Sequence, residues 1–197
     1  MHRTTLLALA AVLLSACAAT HVAPLSVPLA YAMNPSNASA VGPLSCNTVS
    51  QLTVRDARTN KLLGTRTLEG KPDTADVSIA NDPVAWVHDG VQSFLSQNGV
   101  SFGGPGPQLA LSLDSLTTTE NLWHRSSYRA GLALTDRLQS ASGKVCWQNT
   151  SQGKGGNYGY SGSATNYQET VNEALDDATQ QMASLPAFKD ALCHCGE

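Results

Sequence analysis

The chain has 197 residues, with 12 basic and 15 acidic side chains and a formal net charge of −3. Nucleic-acid binding requires clustered positive charge, and this composition does not provide it, so no nucleic-acid partner is expected. The length suits one domain with an extension.

Residues 1–16 have the layout of a secretory signal peptide. Arg3 precedes an apolar run that ends at Leu14, and small residues follow it. A membrane-spanning helix needs about 20 apolar residues, and this run is shorter, which favours a cleaved signal. The tetrapeptide Leu-Ser-Ala-Cys that ends at Cys17 resembles the lipobox of bacterial lipoproteins. We therefore expect cleavage before Cys17 and attachment of acyl chains, palmitate among them, to that cysteine.

An ordinary signal peptide with a chance cysteine is the alternative. Two or more acyl chains hold a protein firmly on a membrane, so Cys17 would suffice as an anchor. Ala18 follows the cysteine, and by the sorting rule of Gram-negative lipoproteins the absence of Asp there implies the outer membrane. The expected location is the outer membrane, lipid-anchored and facing the periplasm.

Residues 17–45 are predicted to form the lipidated cysteine and an extended tether, and residues 46–197 a single domain. The stretch from 18 to 45 contains no Asp, Glu, Lys or Arg and four prolines, which favours extended chain. An alternating apolar set leaves open that part of the tether packs on the domain: Leu25, Val27, Leu29 and Tyr31.

The first half of the domain predicts two strands and a helix. Residues 49–58 and 62–68 are expected to form a hairpin around a turn at 59–61, and 69–80 a polar connector. Asp82 suits a helix N-cap and Pro83 the first helical position. Asn98 and Gly99 provide the stop.

The second half predicts a three-stranded antiparallel meander and a helix. Leucines alternate with polar residues over 109–113, similar alternation covers 128–134, and 144–151 forms a third strand. Residues 152–163 are expected to be a flexible glycine-rich loop. An amphipathic helix is expected from about Tyr167 to Pro186, with a short helical turn before Cys193. The order β-β-α-β-β-β-α predicts an α+β fold, a mostly antiparallel sheet with two amphipathic helices packed on one face.

Four cysteines follow Cys17, and an even number in an exported protein indicates disulfides. Cys193 and Cys195 are poorly placed to bond to each other, so Cys46 and Cys146 should each join one of them. Which joins which stays open. A metal site in Cys193-His194-Cys195 is the weaker alternative, because zinc motifs usually space their cysteines further apart.

The chain resembles the YajG-like family of bacterial outer-membrane lipoproteins. The resemblance covers most of residues 44–192, and it is carried by Cys17, a hairpin with Asp56-Ala57-Arg58, Gly99-Val100, Leu109-Ala110-Leu111, and the last helix with Asn172, Ala174 and Leu175. It implies a fold and a location more than an activity. The four domain cysteines depart from the family pattern.

No catalytic motif emerges from the sequence, so neither enzyme activity, a cofactor nor a metal site is expected. His88 beside Asp89 is interpreted as a solvated or half-buried histidine, His124 as part of a polar turn and His21 as part of the tether. Asp56 with Arg58 is interpreted as structural, an ion pair or a turn anchor. Four acidic residues of the last helix suggest a solvated face: Glu169, Glu173, Asp176 and Asp177.

Two functional hypotheses remain. The first is a non-enzymatic binding or accessory module of the cell envelope, whose partner is another envelope protein. Tyr158 and Tyr160 in the glycine-rich loop are its candidate protein contacts, although the loop could also be a mere connector. The second is a carrier of an apolar or glycan ligand between helices and sheet, lined by aromatic candidates: Trp86, Phe94, Phe102 and Trp147.

Overall fold

The computed structural model describes residues 22–33, 41, 44, 46, 48–68, 73–122 and 126–195. The signal peptide, Cys17 and much of the predicted tether lie outside these residues. The strands are β1 (Leu25–Val27), β2 (Thr48–Val49), β3 (Gln51–Asp56), β4 (Gly64–Leu68), β5 (Thr74–Ile79), β6 (Ser101–Phe102), β7 (Gln108–Leu122), β8 (Ser126–Gln139) and β9 (Val145–Gly159). The helices are α1 (Pro83–Gln97), α2 (Ala164–Ser184) and α3 (Pro186–His194).

The architecture is α+β, as predicted. Strands β7, β8 and β9 form the expected antiparallel meander. The main sheet has the strand order β1-β5-β4-β7-β8-β9, and β3 also pairs with β7. Helix α2 packs on β8 and β9, and α1 packs on β3 and against α2. We call the helix-covered side of the sheet its inner face.

A β-bulge lets β7 run longer than the leucine pattern predicts. Its pairing with β8 shifts between Leu113 and Ser115. Before the shift the odd-numbered leucines are buried, and after it Leu116, Thr118 and Glu120 are buried instead. An extra residue in one strand reverses which side chains face inward. The bulge therefore turns Glu120 toward the helices.

The predicted hairpin of residues 49–68 is wrong. Strands β3 and β4 both pair in parallel with β7, one after the other along the same edge. Leu63, between them, is fully buried, its N–H donates to the Val77 carbonyl at 2.8 Å, and its carbonyl accepts from Thr118 N–H at 2.8 Å. Residues 59–61 lie in the segment that connects β3 to β4. The two strands follow one another in the same direction because both pair with the same edge of the long strand β7.

Two segments expected to be irregular are strands. Part of the predicted connector at 69–80 is β5, which pairs antiparallel with β4. Part of the predicted tether is β1, which pairs in parallel with β5. The side chain of Asn81 bonds both the N–H and the carbonyl of Leu29 at 2.7 Å. The expectation of a free tether is thus corrected for residues 25–31, where the alternating apolar residues pack on the domain.

The predicted helices are confirmed. Asp82 caps α1 by accepting from Val84 N–H at 2.9 Å, and Gly99 after its end has a φ of 90°. Helix α2 begins slightly earlier than predicted, capped by Ser163. None of the helices within the described ranges has the length and apolar character needed to cross a membrane.

The predicted flexible loop at 152–163 is wrong over most of its length, because β9 continues to Gly159. A Cβ atom built on Gly153 would lie 1.8 Å from the carbonyl oxygen of Ala174, and one on Gly155 would lie 2.0 Å from that of Thr170. Glycine is needed here because helix α2 touches the strand backbone, and not because the chain is mobile.

Two disulfides join the C-terminal cysteines to the rest of the domain, as predicted. Cys46 bonds Cys193, and Cys146 bonds Cys195. Phe188 of α3 packs edge-on against Trp147 beside the second bond, with ring centroids 5.2 Å apart. Helix α3 is therefore held both to the N-terminal part of the domain and to the start of β9.

Candidate functional site

A buried carboxylate, Glu120, lies at the end of the sheet where β4, β7 and β9 finish. One of its oxygens accepts from Arg66 Nε at 2.6 Å and from the Tyr167 hydroxyl at 2.9 Å. The other accepts from Gly162 N–H at 2.6 Å and from the Tyr128 hydroxyl at 2.9 Å. Four donors thus surround a side chain that is only 1% exposed.

These contacts make Glu120 a structural anion. Burial alone would raise its pKa, but hydrogen bonds from Gly162 N–H, Arg66 and the two tyrosines lower the pKa below its usual value. Burial and the neighbouring carboxylate raise the pKa of Tyr167. Because both carboxylate oxygens are already occupied by two donors each, the group has no position open for a reactant.

The Glu120 network fixes the turn between β9 and α2. The Tyr128 hydroxyl lies within hydrogen-bond distance of the Tyr160 carbonyl oxygen, which also accepts from Asn166 Nδ2 at 3.1 Å. Tyr158 N–H donates to the Asn157 side chain at 2.7 Å. The side chains of Tyr158 and Tyr160 nevertheless point outward and are 71% and 89% exposed, respectively. We call this pair the tyrosine surface; its aromatic rings stand on an ordered backbone.

The predicted solvated acidic face of α2 is confirmed for Glu169 and Glu173, which are exposed, but its carboxylates also accept hydrogen bonds from β9. Along the outer edge of β9, Asp177 accepts from Lys154 N–H at 2.9 Å and Glu173 from Gly156 N–H at 2.8 Å. Glu169 accepts from the Asn157 side chain at 2.5 Å. An edge strand with free N–H groups invites pairing with another chain. Asp177 and Glu173 occupy two such N–H groups because α2 runs alongside the edge.

The fourth acidic residue, Asp176, is buried under the N-terminal segment. It accepts from the Tyr31 hydroxyl at 2.6 Å, and burial together with this contact raises the pKa of Tyr31. Nearby, Asn172 accepts from the indole N–H of Trp86 at 2.8 Å and donates to the Ala30 carbonyl at 3.1 Å. Helix α2 thus holds residues 30–31 in place through buried polar contacts.

The remaining polar residues singled out in the sequence are structural or outside the described residues. Arg58 binds Asp56 through its Nε at 2.9 Å and lowers the pKa of that carboxyl, which confirms the predicted ion pair. His88 is half-buried, with its Nδ1 3.2 Å from Asp89. His21 and His124 lie outside the described residues.

Sequence reasoning missed a further buried acid besides Glu120, namely Asp136 on β8. Its side chain faces inward, accepts from the Ser151 hydroxyl, and leaves Oδ1 without a hydrogen-bond partner among the described residues. Burial raises the pKa of Asp136 to about 7. The hydrogen bond from Ser151 lowers this pKa, and the negative charge of Asp114 raises it further. The alternation of Leu132, Leu134 and Leu138 with polar neighbours could have revealed it, since Asp136 occupies the same face.

We expect Asp136→Asn to stabilise the protein at pH 8 more than at pH 4. The carboxyl has a higher pKa in the folded chain than in the unfolded one, so the free energy of unfolding falls as the pH rises from about 4 to about 7. The amide removes this loss, which amounts to about 4 kcal/mol for a shift of about three pKa units. Thermal denaturation of both proteins at the two pH values measures the difference.

Asp114→Asn provides a graded comparison, because it removes the nearby charge that contributes to the raised pKa of Asp136 and should weaken the pH dependence without abolishing it. A gain in stability for Asp136→Asn that is the same at both pH values would contradict the raised pKa.

The aromatic residues proposed to line a ligand cavity lie in or against the core. Trp86 and Phe94 are buried, and Phe102 and Trp147 pack on the core from its edge. A depression of about 350 Å³ lies elsewhere, between residues 32–33, the end of β9 and α2. Its lining includes Glu169, Glu173 and Asp176, which already accept the hydrogen bonds described above.

Comparison of the sequence with known protein families found no match, and comparison with curated proteins found none either. Several solved structures are similar to the chain, among them the following two. Protein XCC0632 from Xanthomonas campestris, carrying the family label DUF330, is 12% identical with a TM-score of 0.50, over 85% of this chain and 96% of that one. A minor lipoprotein from Acinetobacter baumannii is 15% identical with a TM-score of 0.42, over 75% of this chain and 96% of that one. At such identity, the likeness to XCC0632 concerns the fold alone.

Proposed function

We propose that this protein is a lipoprotein anchored by Cys17 in the outer membrane, with its domain in the periplasm. The observation that carries the proposal is the position of the lipobox cysteine. Only four residues separate Cys17 from Val22, the first described residue, and the chain from there leads directly into β1. An acylated Cys17 would thus attach a docked segment, and through it the whole domain, to a membrane.

The disulfides support export. Disulfides persist in oxidising compartments such as the bacterial periplasm and are rare in the cytosol. All four cysteines of the domain are paired, which leaves Cys17 as the single cysteine available for acylation. The resemblance to YajG-like lipoproteins and the residue Ala18 after the cysteine are the grounds for choosing the outer membrane.

The proposed activity is binding without catalysis, as an accessory module that contacts another envelope protein. The carboxylates that the fold gathers are occupied by internal donors, as at Glu120 and along the edge of β9. The outer face of the sheet, opposite the helices, presents polar side chains from several strands. One depression on this face, of about 290 Å³, is lined by Thr53, Arg55, Ser112 and Arg137 among others. This face is the surface that we assign to the partner.

The test of anchoring is the substitution Cys17→Ser. We expect the variant to lose metabolic labelling with an alkyne analogue of palmitate. It should then either leave the membrane fraction or retain its unprocessed signal peptide. Labelling that survives the substitution would refute the assignment. The Cys146→Ser, Cys195→Ser double variant is the control, since it removes cysteines while keeping the lipobox.

A partner is tested in the same cells with a photo-crosslinking amino acid at Arg55 or Arg137. Lys189 of α3, which is half-buried as Arg137 is, serves as the control position. An envelope protein that crosslinks from the outer-face positions and not from position 189 would support the assignment. Equal yields from all three positions would oppose it.

A further inference from the structure

Large apolar side chains that are strongly exposed lie at both ends of β9. Among the residues that the structure describes, they are Tyr158 and Tyr160 at the C-terminal end and Val145, 45% exposed, at the other. The outer face of the sheet is polar, so it does not explain why two neighbouring tyrosines are so exposed. Their position relative to the N-terminus supplies one.

The direction of the strands brings the N-terminal segment to the tyrosine surface. Strand β9 ends where β4 and β7 end, because β7 and β8, and β8 and β9, are antiparallel. Strand β5 is antiparallel to β4, and β1 is parallel to β5. Strand β1 therefore starts at the end of the sheet where β9 finishes, and the chain before it leads out there.

A single side chain records this proximity. The guanidinium of Arg66 donates to the Ala23 carbonyl at 2.9 Å and contacts the Ser161 hydroxyl at 3.4 Å. Ser161 directly follows Tyr160. The N-terminal segment and the tyrosine surface are thus separated by little more than the width of one guanidinium group.

The length of chain outside the structure limits how the domain can stand on a membrane. The five steps from Cys17 to Val22 span at most about 18 Å when fully extended. Val145 lies 13 residues from Tyr158 along β9 (158 − 145), which corresponds to about 43 Å in a strand. A lipid-anchored Cys17 therefore keeps the tyrosine end of the domain near the bilayer. If the Val145 end faced the bilayer instead, the linker would be too short for Cys17 to reach the membrane.

We propose that the tyrosine surface lies in the headgroup region of the membrane that holds the acyl chains of Cys17. Tyrosine is suited to this region, since its ring is apolar and its hydroxyl stays hydrated. The inference deepens the proposed function and rests on it. A lipid surface fits better than the protein contact predicted from the sequence, because the short linker leaves little room for a partner between this end and the bilayer.

The orientation is tested with the mature chain from Cys17 onward, coupled through that thiol to a maleimide lipid. The vesicles contain phosphatidylethanolamine and phosphatidylglycerol, with or without lipids brominated near the headgroup end of the acyl chain. Tryptophan is placed in turn at the three exposed positions by Tyr158→Trp, Tyr160→Trp and Val145→Trp. The fluorescence of the parent chain is subtracted, and thermal denaturation verifies that each variant is folded.

Bromine should reduce the emission of the two tyrosine-site tryptophans about twofold, because interfacial side chains sit within about 10 Å of the headgroup boundary. The tryptophan at position 145 should be unaffected. Equal quenching at both ends, or none at positions 158 and 160, would overturn the proposal. Absence of quenching combined with crosslinking of position 160 to a protein in cells would assign the surface to a protein partner.

Chemical coupling separates this inference from the proposed function. If cells fail to acylate Cys17 while the coupled protein shows the expected quenching, the geometry stands and the lipoprotein assignment fails. If acylation occurs and quenching does not, only the membrane-facing orientation fails.

Discussion

Replacement of Gly155 by alanine is expected to lower the free energy of unfolding by about 5 kcal/mol, at the upper end of single substitutions. The new Cβ would lie 2.0 Å from the Thr170 carbonyl oxygen and 3.0 Å from the Ala174 nitrogen, both in the backbone of α2. A helix backbone cannot rotate away as a side chain can, so α2 must shift from the sheet. Chemical denaturation with the disulfides intact measures the loss.

The adjacent glycine offers a matched control. A Cβ on Gly156 would meet only the Tyr128 carbonyl oxygen, at an ordinary 3.8 Å. Gly156→Ala should therefore change stability by less than about 1 kcal/mol, and alanine is slightly preferred over glycine in a strand. Similar losses at both positions would contradict the close packing of α2 on β9, and no loss at either would favour the flexible loop.

Removal of the disulfide between Cys46 and Cys193 is expected to cost up to about 5 kcal/mol, because in the chain-entropy model a bond that closes a longer loop restrains the unfolded chain more. These cysteines are 147 residues apart, against 49 for Cys146 and Cys195. The second bond should therefore contribute less, up to about 4 kcal/mol in the same model. Denaturation of the two double Cys→Ser variants tests this order.

Pairing is verified first by proteolysis without reductant, which should release a peptide containing Cys46 linked to one containing Cys193. Cys17→Ser is the control, since it removes a thiol that forms neither bond. A Cys46→Ser, Cys193→Ser variant as stable as the parent would indicate that the bond does not restrain the unfolded chain.

The end of the domain that carries the tyrosine surface combines features that depend on one another. Arg66 holds the N-terminal segment at Ala23, and it also contributes to the charge balance of Glu120. Glu120 in turn holds Tyr128 and Gly162, which bracket Tyr160. The attachment point of the proposed anchor and the tyrosine surface are therefore fixed to each other through one buried network. An internal charge pair of this kind can set an orientation even if it adds little stability.

The Glu120 network could not be predicted from the sequence. Glu120 lies in a run of polar residues, Thr117 to Asn121, which has no alternation with apolar residues to indicate a buried position. The bulge at Asp114 changes the inward-facing positions from odd to even, and no local pattern announces that change. Its partner Arg66 lies 54 residues away, so the reason for burying a carboxylate appears only when the two strands pair.

The sequence by itself determined the features that depend on neighbouring residues. Asp82-Pro83 and Asn98-Gly99 set the ends of α1 because caps satisfy local backbone groups. Alternating leucines gave the meander, since successive side chains of a strand face opposite sides. Because Cys193 and Cys195 are too close in the chain to bond to each other, the sequence predicted that each bonds to a distant cysteine.

Only the tertiary structure decided which segments share an edge. Strands β1, β3 and β4 pair in parallel with partners that are distant in the chain, and such pairing leaves no turn in the sequence to mark it. The glycine-rich second half of β9 has the amino-acid composition of a flexible loop. These glycines belong to a strand whose backbone packs closely against α2. The sequence does not distinguish a glycine needed for close packing of two backbones from one needed for conformational freedom.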